Sequence, residues 1–149
     1  MRKKKDLIFV GIQLALFGLY VFLPAVRIFK IWSGVKLVGL AVALTGMIMI
    51  VTSMFQIRRS LTPFPSPVKR GKLVTTGIYK YIRHPIYSGI FLLTSGYGLQ
   101  ATDSLRVIIS LALLLLFYFK SRYEEKMLVA FYDDYRQYRS HTYRFFPFL

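Results

Sequence analysis

The chain has 149 residues, of which 55% are hydrophobic, with mean hydropathy +0.47, a formal net charge of +15 and no cysteine. That apolar fraction exceeds what soluble domains carry and indicates a membrane protein with room for one domain. The absent cysteines exclude disulfides, thiolate nucleophiles, iron–sulfur clusters and cysteine-ligated zinc.

Met1-Arg2-Lys3-Lys4-Lys5 leads into an apolar run from Leu7 to Leu23, seventeen residues in which Gln13 is the strongly polar side chain. No small-residue cleavage site follows Leu23, so the segment is expected to be an uncleaved first transmembrane helix. Leu37 to Phe55 gives a second span of nineteen residues with nothing more polar than Thr and Ser. Residues 56–84 are polar and punctuated by Pro63, Pro65 and Pro67, then by a Thr75-Thr76-Gly77 turn, so no long helix fits there. Leu73-Val74 and Ile78-Tyr79 supply apolar teeth that would fold this loop onto the bundle, and a loop of that length is expected to be functional.

Ile86 to Ala101 and Leu105 to Phe119 are apolar runs of sixteen and fifteen residues, each a little short of a ~30 Å hydrocarbon core. The short polar joint between them predicts a helical hairpin with Asp103 or Ser104 capping the fourth helix. Before the third helix, Pro85 lacks an amide hydrogen and steers His84 away from the α region. This predicts His84 at the cap and Pro85 at the first helical position, with bare amides facing His84. Past Phe119 the fourth helix is expected to continue unbroken, because Leu128, Phe131, Tyr135 and Tyr138 recur at helical spacing. The same register brings Lys120 and Glu124 onto the packing face and puts Glu125 about 100° away, where it is expected to matter less. The aromatic tail Tyr143-Arg144-Phe145-Phe146-Pro147-Phe148-Leu149 is expected to dock back on the protein or the interface.

Seventeen basic residues fall before Leu7, between Gln56 and Pro85, or after Phe119, against four elsewhere. The positive-inside rule then places both termini and the middle loop in the cytoplasm, and this sidedness rather than nucleic acid accounts for the charge. Two scattered histidines make a poor metal site, and no Ser/His/Asp or Walker pattern appears, so hydrolysis and phosphoryl transfer are not expected. Gly96-Tyr97-Gly98-Leu99-Gln100-Ala101 matches a dinucleotide fingerprint formally but lies inside an apolar span with no strand before it. What remains is His84, Tyr79, Tyr87, Arg83, Lys120, Arg122 and Glu124 at one end of the last two spans. Such a set can hold a zwitterionic cofactor: the helix start and His84 for a carboxylate, Glu124 for an ammonium, and tyrosine rings near a sulfonium. That description fits S-adenosylmethionine.

Leu73-Val74-Thr75-Thr76-Gly77-Ile78-Tyr79, then Arg83-His84-Pro85-Ile86-Tyr87-Ser88-Gly89, then Glu124-Glu125-x-x-Leu128 and Tyr135-x-x-Tyr138 with a closing Phe146-Pro147, resembles the isoprenylcysteine carboxyl methyltransferase family. The resemblance implies cofactor contacts at Lys72, Leu73, Val74, Tyr79, His84, Pro85, Ile86, Tyr87 and Glu124. It also implies that an arginine should orient the acceptor at the position occupied here by Lys120, with Arg122 close by. Phospholipid N-methyltransferases share the architecture.

The expectation is an all-α membrane protein of about four transmembrane helices, with a cytoplasmic cofactor pocket formed by the loop before the third helix and the extended C-terminal helix. A single domain over 1–149 would comprise a two-helix N-terminal membrane part, 1–55, and a cofactor-binding catalytic part, 56–149. The expected activity is S-adenosylmethionine-dependent methyl transfer to a lipophilic small-molecule or lipidated acceptor in the bilayer of the cell inner membrane. Oxygen ranks above nitrogen as the accepting atom because an amine would need a base, and no metal or nucleic acid is expected. The alternatives are a phospholipid N-methyltransferase-like enzyme, a nicotinamide-dependent reductase on a similar scaffold and a small four-helix transporter or membrane-binding protein.

Overall fold

The computed structural model describes residues 4–27, 32–58, 62–67 and 71–146. Arg2, Lys3, Lys30, Lys69, Arg70 and the closing Pro147 lie outside the described residues. The elements are α1 (Lys4–Phe22), α2 (Ser33–Ile57), a 3₁₀ turn (Gly77–Lys80), α3 (Pro85–Gln100), α4 (Ser104–Phe131) and α5 (Tyr135–Ser140). α1, α2 and α4 are each long and apolar enough to cross a membrane. α3 has 16 residues and rises about 24 Å, so it falls short of the core thickness.

Inside and outside are arranged for lipid. α2 buries Gly39, Ala43, Gly46 and Ser53, whereas Leu37, Leu44, Ile48 and Phe55 are exposed. α3 answers with Gly89 and Gly96, and the two backbones approach so closely that a Cβ on Gly39 would lie 2.8 Å from the Gly96 carbonyl oxygen. Without water to drive large side chains together, small residues that permit backbone contact hold membrane helices. Gly96 and Gly98 of the formal dinucleotide match are therefore packing residues.

Asp103 caps α4, its Oδ1 accepting from the amides of Leu105 at 3.1 Å and Arg106 at 3.3 Å. α4 runs twelve residues past Phe119, to Phe131, and then breaks: Tyr132 is extended (φ −120°, ψ 120°) before α5 begins. The expected single helix through Tyr138 is thus interrupted. The break lets Tyr138 fold under the loop and donate from its hydroxyl to the Tyr79 carbonyl at 2.6 Å. A straight helix would have carried both Tyr135 and Tyr138 away from the bundle.

The tail docks as expected through Phe146. Tyr143 pairs with Ile82 in an isolated bridge, Arg83 and His84 donate their amides to the Tyr143 and Arg144 carbonyls, and Ser88 Oγ donates to the Phe145 carbonyl at 2.6 Å. Phe145 joins Leu113 and Phe117 in the buried core. The N-terminal ends of α1 and α3, the C-terminal end of α2, the post-Phe119 part of α4, the 3₁₀ turn and the tail gather at one end of the bundle, the cap.

Candidate functional site

Two cavities of about 320 and 80 Å³ open in the cap and share Ile57, Thr62, Tyr79, Arg83, His84 and Glu124 as walls. The larger one reaches between the helices to Gln13, Met54, Ile90 and Lys120, within the size range of small-molecule sites. The smaller one lies under the loop, against Phe64, Ser66, Leu128 and Tyr135. Every residue expected at the cofactor borders one or both: Lys72, Leu73 and Val74 the smaller, Pro85, Ile86 and Tyr87 the larger, and Tyr79, His84 and Glu124 both.

Local chemistry explains how each is placed. Gly77 takes φ +61°, which favours glycine, and a Cβ there would also meet the Gln56 side chain at 2.5 Å. Gln56 Oε1 accepts the Ile78 amide at 3.1 Å, which ties the turn to α2 and buries Tyr79. His84 is the N-cap residue of α3 (φ −122°, ψ 57°) and Pro85 its first helical residue, as expected. The expectation of several bare amides needs correction: Tyr87 and Ser88 both turn their N–H groups back to the His84 carbonyl, at 3.1 and 3.2 Å. Pro85 has none to offer, so little of the helix start is left for a ligand.

The His84 ring lies between the two adjacent glutamates, Nε2 at 3.3 Å from Glu125 and Nδ1 at 3.8 Å from Glu124, and stacks on Tyr87, which stacks on Phe117 at 4.6 Å. Glu124 accepts from the Tyr87 hydroxyl at 3.0 Å and, among the described residues, has no Lys or Arg partner. Glu125, expected to be peripheral, is instead the ionic centre of the cap. Arg83 Nε donates to it at 2.9 Å and Arg144 Nη2 at 2.9 Å, with Arg139 at 3.6 Å, while the Glu125 side chain is 2% exposed. Helical register alone places Glu125 off the packing face, because the tail that covers it comes from nineteen residues away. The chain has 21 basic residues against 6 acidic ones, so an acid near the basic tail readily meets cations, and that was the available signal.

Burial pushes the Tyr138 phenol up to about 12 and raises Tyr79 and Tyr135 as well, so these hydroxyls stay neutral donors at physiological pH. The Tyr135 hydroxyl is buried at the smaller cavity with no hydrogen-bond partner among the described residues. Lys120 is 1% exposed and, instead of pairing with Glu124, donates to Gln13 Oε1 at 2.6 Å and to the Pro63 carbonyl at 2.8 Å. Arg122 is not at the cavities: it is exposed, stacked on Tyr118 at 5.7 Å, and borders a separate depression with Lys5 and Tyr123. Among the described residues no group of histidines and acids could hold a metal ion.

Residues 35–135, more than half of the chain, match the family profile described as phospholipid methyltransferase, and the chain belongs to that family. Over 76 residues it is 41% identical to a protein-S-isoprenylcysteine O-methyltransferase of Schizosaccharomyces pombe, a match covering 48% of this chain and 32% of the relative. The fold is similar to that of a eukaryotic intramembrane Ras methyltransferase, isoprenylcysteine carboxyl methyltransferase, with TM-score 0.66 and 23% identity over 99% of this chain and 54% of that one. The chain thus spans about half the length of the solved relative, and its match spans about a third of the curated one. The resemblance to isoprenylcysteine carboxyl methyltransferases carried by the sequence motifs stands.

Proposed function

We propose that the protein transfers a methyl group from S-adenosylmethionine to an oxygen, most simply a carboxylate, of a lipophilic acceptor, and that residues 56–149 carry the cofactor while α1 and α2 complete the cavity from the membrane side. The cofactor supplies, when bound, an electrophilic methyl group on a sulfonium. Glu124, a carboxylate without a Lys or Arg partner at both cavities, suits its ammonium. The unpartnered Tyr135 hydroxyl suits a polar group of the ligand in the smaller cavity, where Lys72, Leu73 and Val74 border it. The Tyr79 ring suits a sulfonium, whereas the Tyr87 ring is already stacked between His84 and Phe117.

The single observation that carries the acceptor class is Lys120. A buried ammonium with two neutral oxygen partners and no carboxylate within ion-pair distance among the described residues is costly by itself and is relieved by an anionic ligand. Beside these oxygens it has only the Tyr87 ring, 5.3 Å away, so its third N–H would serve an acceptor carboxylate in the larger cavity. Attack by an ionised oxygen needs no base: Lys120 holds the anion, the helices exclude water, and alignment does the rest. An amine acceptor would meet a cation and find no free base, which disfavours the phospholipid N-methyltransferase reading. The family and the cavity leave no observation in favour of a transporter. The charge asymmetry supports a cytoplasmic cap.

Purified protein in lipid nanodiscs is tested with methyl-labelled S-adenosylmethionine against a prenylated cysteine carboxylate and against phosphatidylethanolamine. Label in a base-labile ester of the carboxylate is expected. Label in the amine lipid alone overturns the acceptor class, and failure to bind S-adenosylmethionine, with NADPH as control, overturns the whole reading. A cysteine at Ser140 should be shielded from an impermeant reagent in intact cells and one at Ser33 should label.

A further inference from the structure

α1 lies outside the span that matches the family, which begins at residue 35, and a plain membrane anchor has no use for polar groups facing inward. Yet both strongly polar side chains of α1 beyond its opening lysines, Asp6 and Gln13, face the cap rather than water or lipid. Asp6 is fully buried, and its Oδ2 accepts from Ser66 Oγ on the segment 62–67. Gln13 holds Lys120, which in turn donates to the Pro63 carbonyl of the same segment. The segment is therefore tied at Ser66 to α1 and at Pro63 to α4.

Its sequence explains why it needs such ties. Pro63, Pro65 and Pro67 have no amide hydrogen, so a helix or strand ladder cannot fix the segment, and side-chain bonds must do so. The segment is also cavity wall: Thr62 and Pro63 border the larger cavity, and Phe64, Pro65 and Ser66 the smaller. A carboxylate removed from water is costly unless hydrogen-bonded, and here Ser66 serves Oδ2 while Oδ1 is buried without a hydrogen-bond partner among the described residues. Surrounded by Lys4 and Lys5 at the start of α1, Asp6 could have remained solvated at no such cost.

We propose that Asp6 is a positioning residue: acting through Ser66, it holds the proline segment 62–67 in place as the wall of the cofactor cavity, which makes α1 part of the site. This rests on the S-adenosylmethionine reading above. The test compares Asp6→Ala, Asp6→Asn, Ser66→Ala and the double variant Asp6→Ala/Ser66→Ala in the full chain. S-adenosylmethionine titration calorimetry is paired with maleimide labelling of a reporter cysteine introduced at Thr62, in a chain that has no other cysteine.

Asp6→Ala and Ser66→Ala should each weaken binding about tenfold and speed labelling about as much, and the double variant should be no worse than either. Asp6→Asn, whose amide oxygen still accepts from Ser66, should stay within roughly threefold of wild type. Additive losses, unchanged binding and labelling in Ser66→Ala, or an Asp6→Asn as weak as Asp6→Ala overturn the proposal. Should Asp6→Ala not fold, Ser66→Ala and Asp6→Asn still decide it. If wild type binds no S-adenosylmethionine, the cofactor reading fails while the labelling rates still report whether Asp6 fixes the segment.

Discussion

The α2–α3 seam and the Glu125 cap adjoin at the start of α3 and are built on opposite principles. In the seam, Gly39, Ala43 and Gly46 meet Gly89 and Gly96, and adhesion comes from the absence of side chains. In the cap, one carboxylate gathers Arg83, His84, Arg139 and Arg144 from the α3 entrance, from α5 and from the tail. Lipid surrounds the first and supplies no competing hydrogen bonds, so close backbone contact suffices. The second lies where chain segments with no mutual helix contacts must converge on a ligand cavity, and charge draws together what packing alone does not. The seam should therefore answer to volume and the cap to charge.

The largest effect is expected from Glu125→Ala. Removing the shared partner leaves Arg83, whose side chain is 8% exposed, without a carboxylate and with only the neutral oxygens of Arg139 and Thr142, and breaking a buried ion pair in this way costs about 3–5 kcal/mol. The tail should become sensitive to protease and S-adenosylmethionine binding should be lost, while far-UV circular dichroism keeps the four long helices. Loss of all helical signal in the same variant would mean that seam and cap form one cooperative unit.

Gly46→Ala tests the other side. A Cβ there would lie 2.6 Å from the Gly89 carbonyl oxygen and 2.9 Å from Leu92 Cβ, so the helices must separate. About 3 kcal/mol of stability should be lost, the upper end for overpacking, because the obstacle is backbone. Gly11→Ala, with nothing within 4 Å of its Cβ, should leave the melting temperature unchanged or slightly raised. Equal effects of the two substitutions would show that the seam is not size-limited.

The same contrast decides what could be read from the sequence. Apolar runs, the His84-Pro85 boundary and the Asp103 cap are local, and α2 and α3 begin and end, and α4 begins, close to where those signals put them. Contacts made through chain separation were not legible. The Asp133-Asp134 pair after Tyr132 is the one local hint of the helix break, with Asp134 at the N-cap position of α5, and the contact that uses the break, Tyr138 to Tyr79, spans fifty-nine residues. Glu124 and Glu125 were ranked by helical register. The structure keeps Glu124 at the cavities, but it gives Glu125 a buried role that only the returning tail creates. Asp6 and Ser66, sixty residues apart, carried no sequence signal of their pairing at all.

Within the cap, Glu124→Gln separates ligand from scaffold. Because Glu124 has no Lys or Arg partner among the described residues, losing its charge should change thermal stability by less than about 1 kcal/mol. S-adenosylmethionine binding should weaken about tenfold, as expected for loss of one charge-assisted bond. Calorimetric titration showing unchanged affinity would remove Glu124 from the cofactor site and confine the function of the cap to Glu125.

The smallest effect is expected at Arg122, and it sharpens the assignment of Lys120. Both are basic residues one helical turn or less before Glu124, and a resemblance that calls for an acceptor-orienting cation there does not choose between them. Position does: Lys120 is buried at the larger cavity, held by Gln13 and Pro63, whereas Arg122 is exposed and stacked on Tyr118. An exposed stacked guanidinium contributes about 0.5–1 kcal/mol, so Arg122→Ala should shift stability by no more than that and leave the KM for a carboxylate acceptor unchanged. Lys120→Met, which keeps the length and removes the charge, should raise that KM at least about tenfold with cofactor affinity preserved. Should steady-state assays show the acceptor KM rising in Arg122→Ala and not in Lys120→Met, the acceptor meets the protein on the outer face of α4, and the cavity between the helices is not its route.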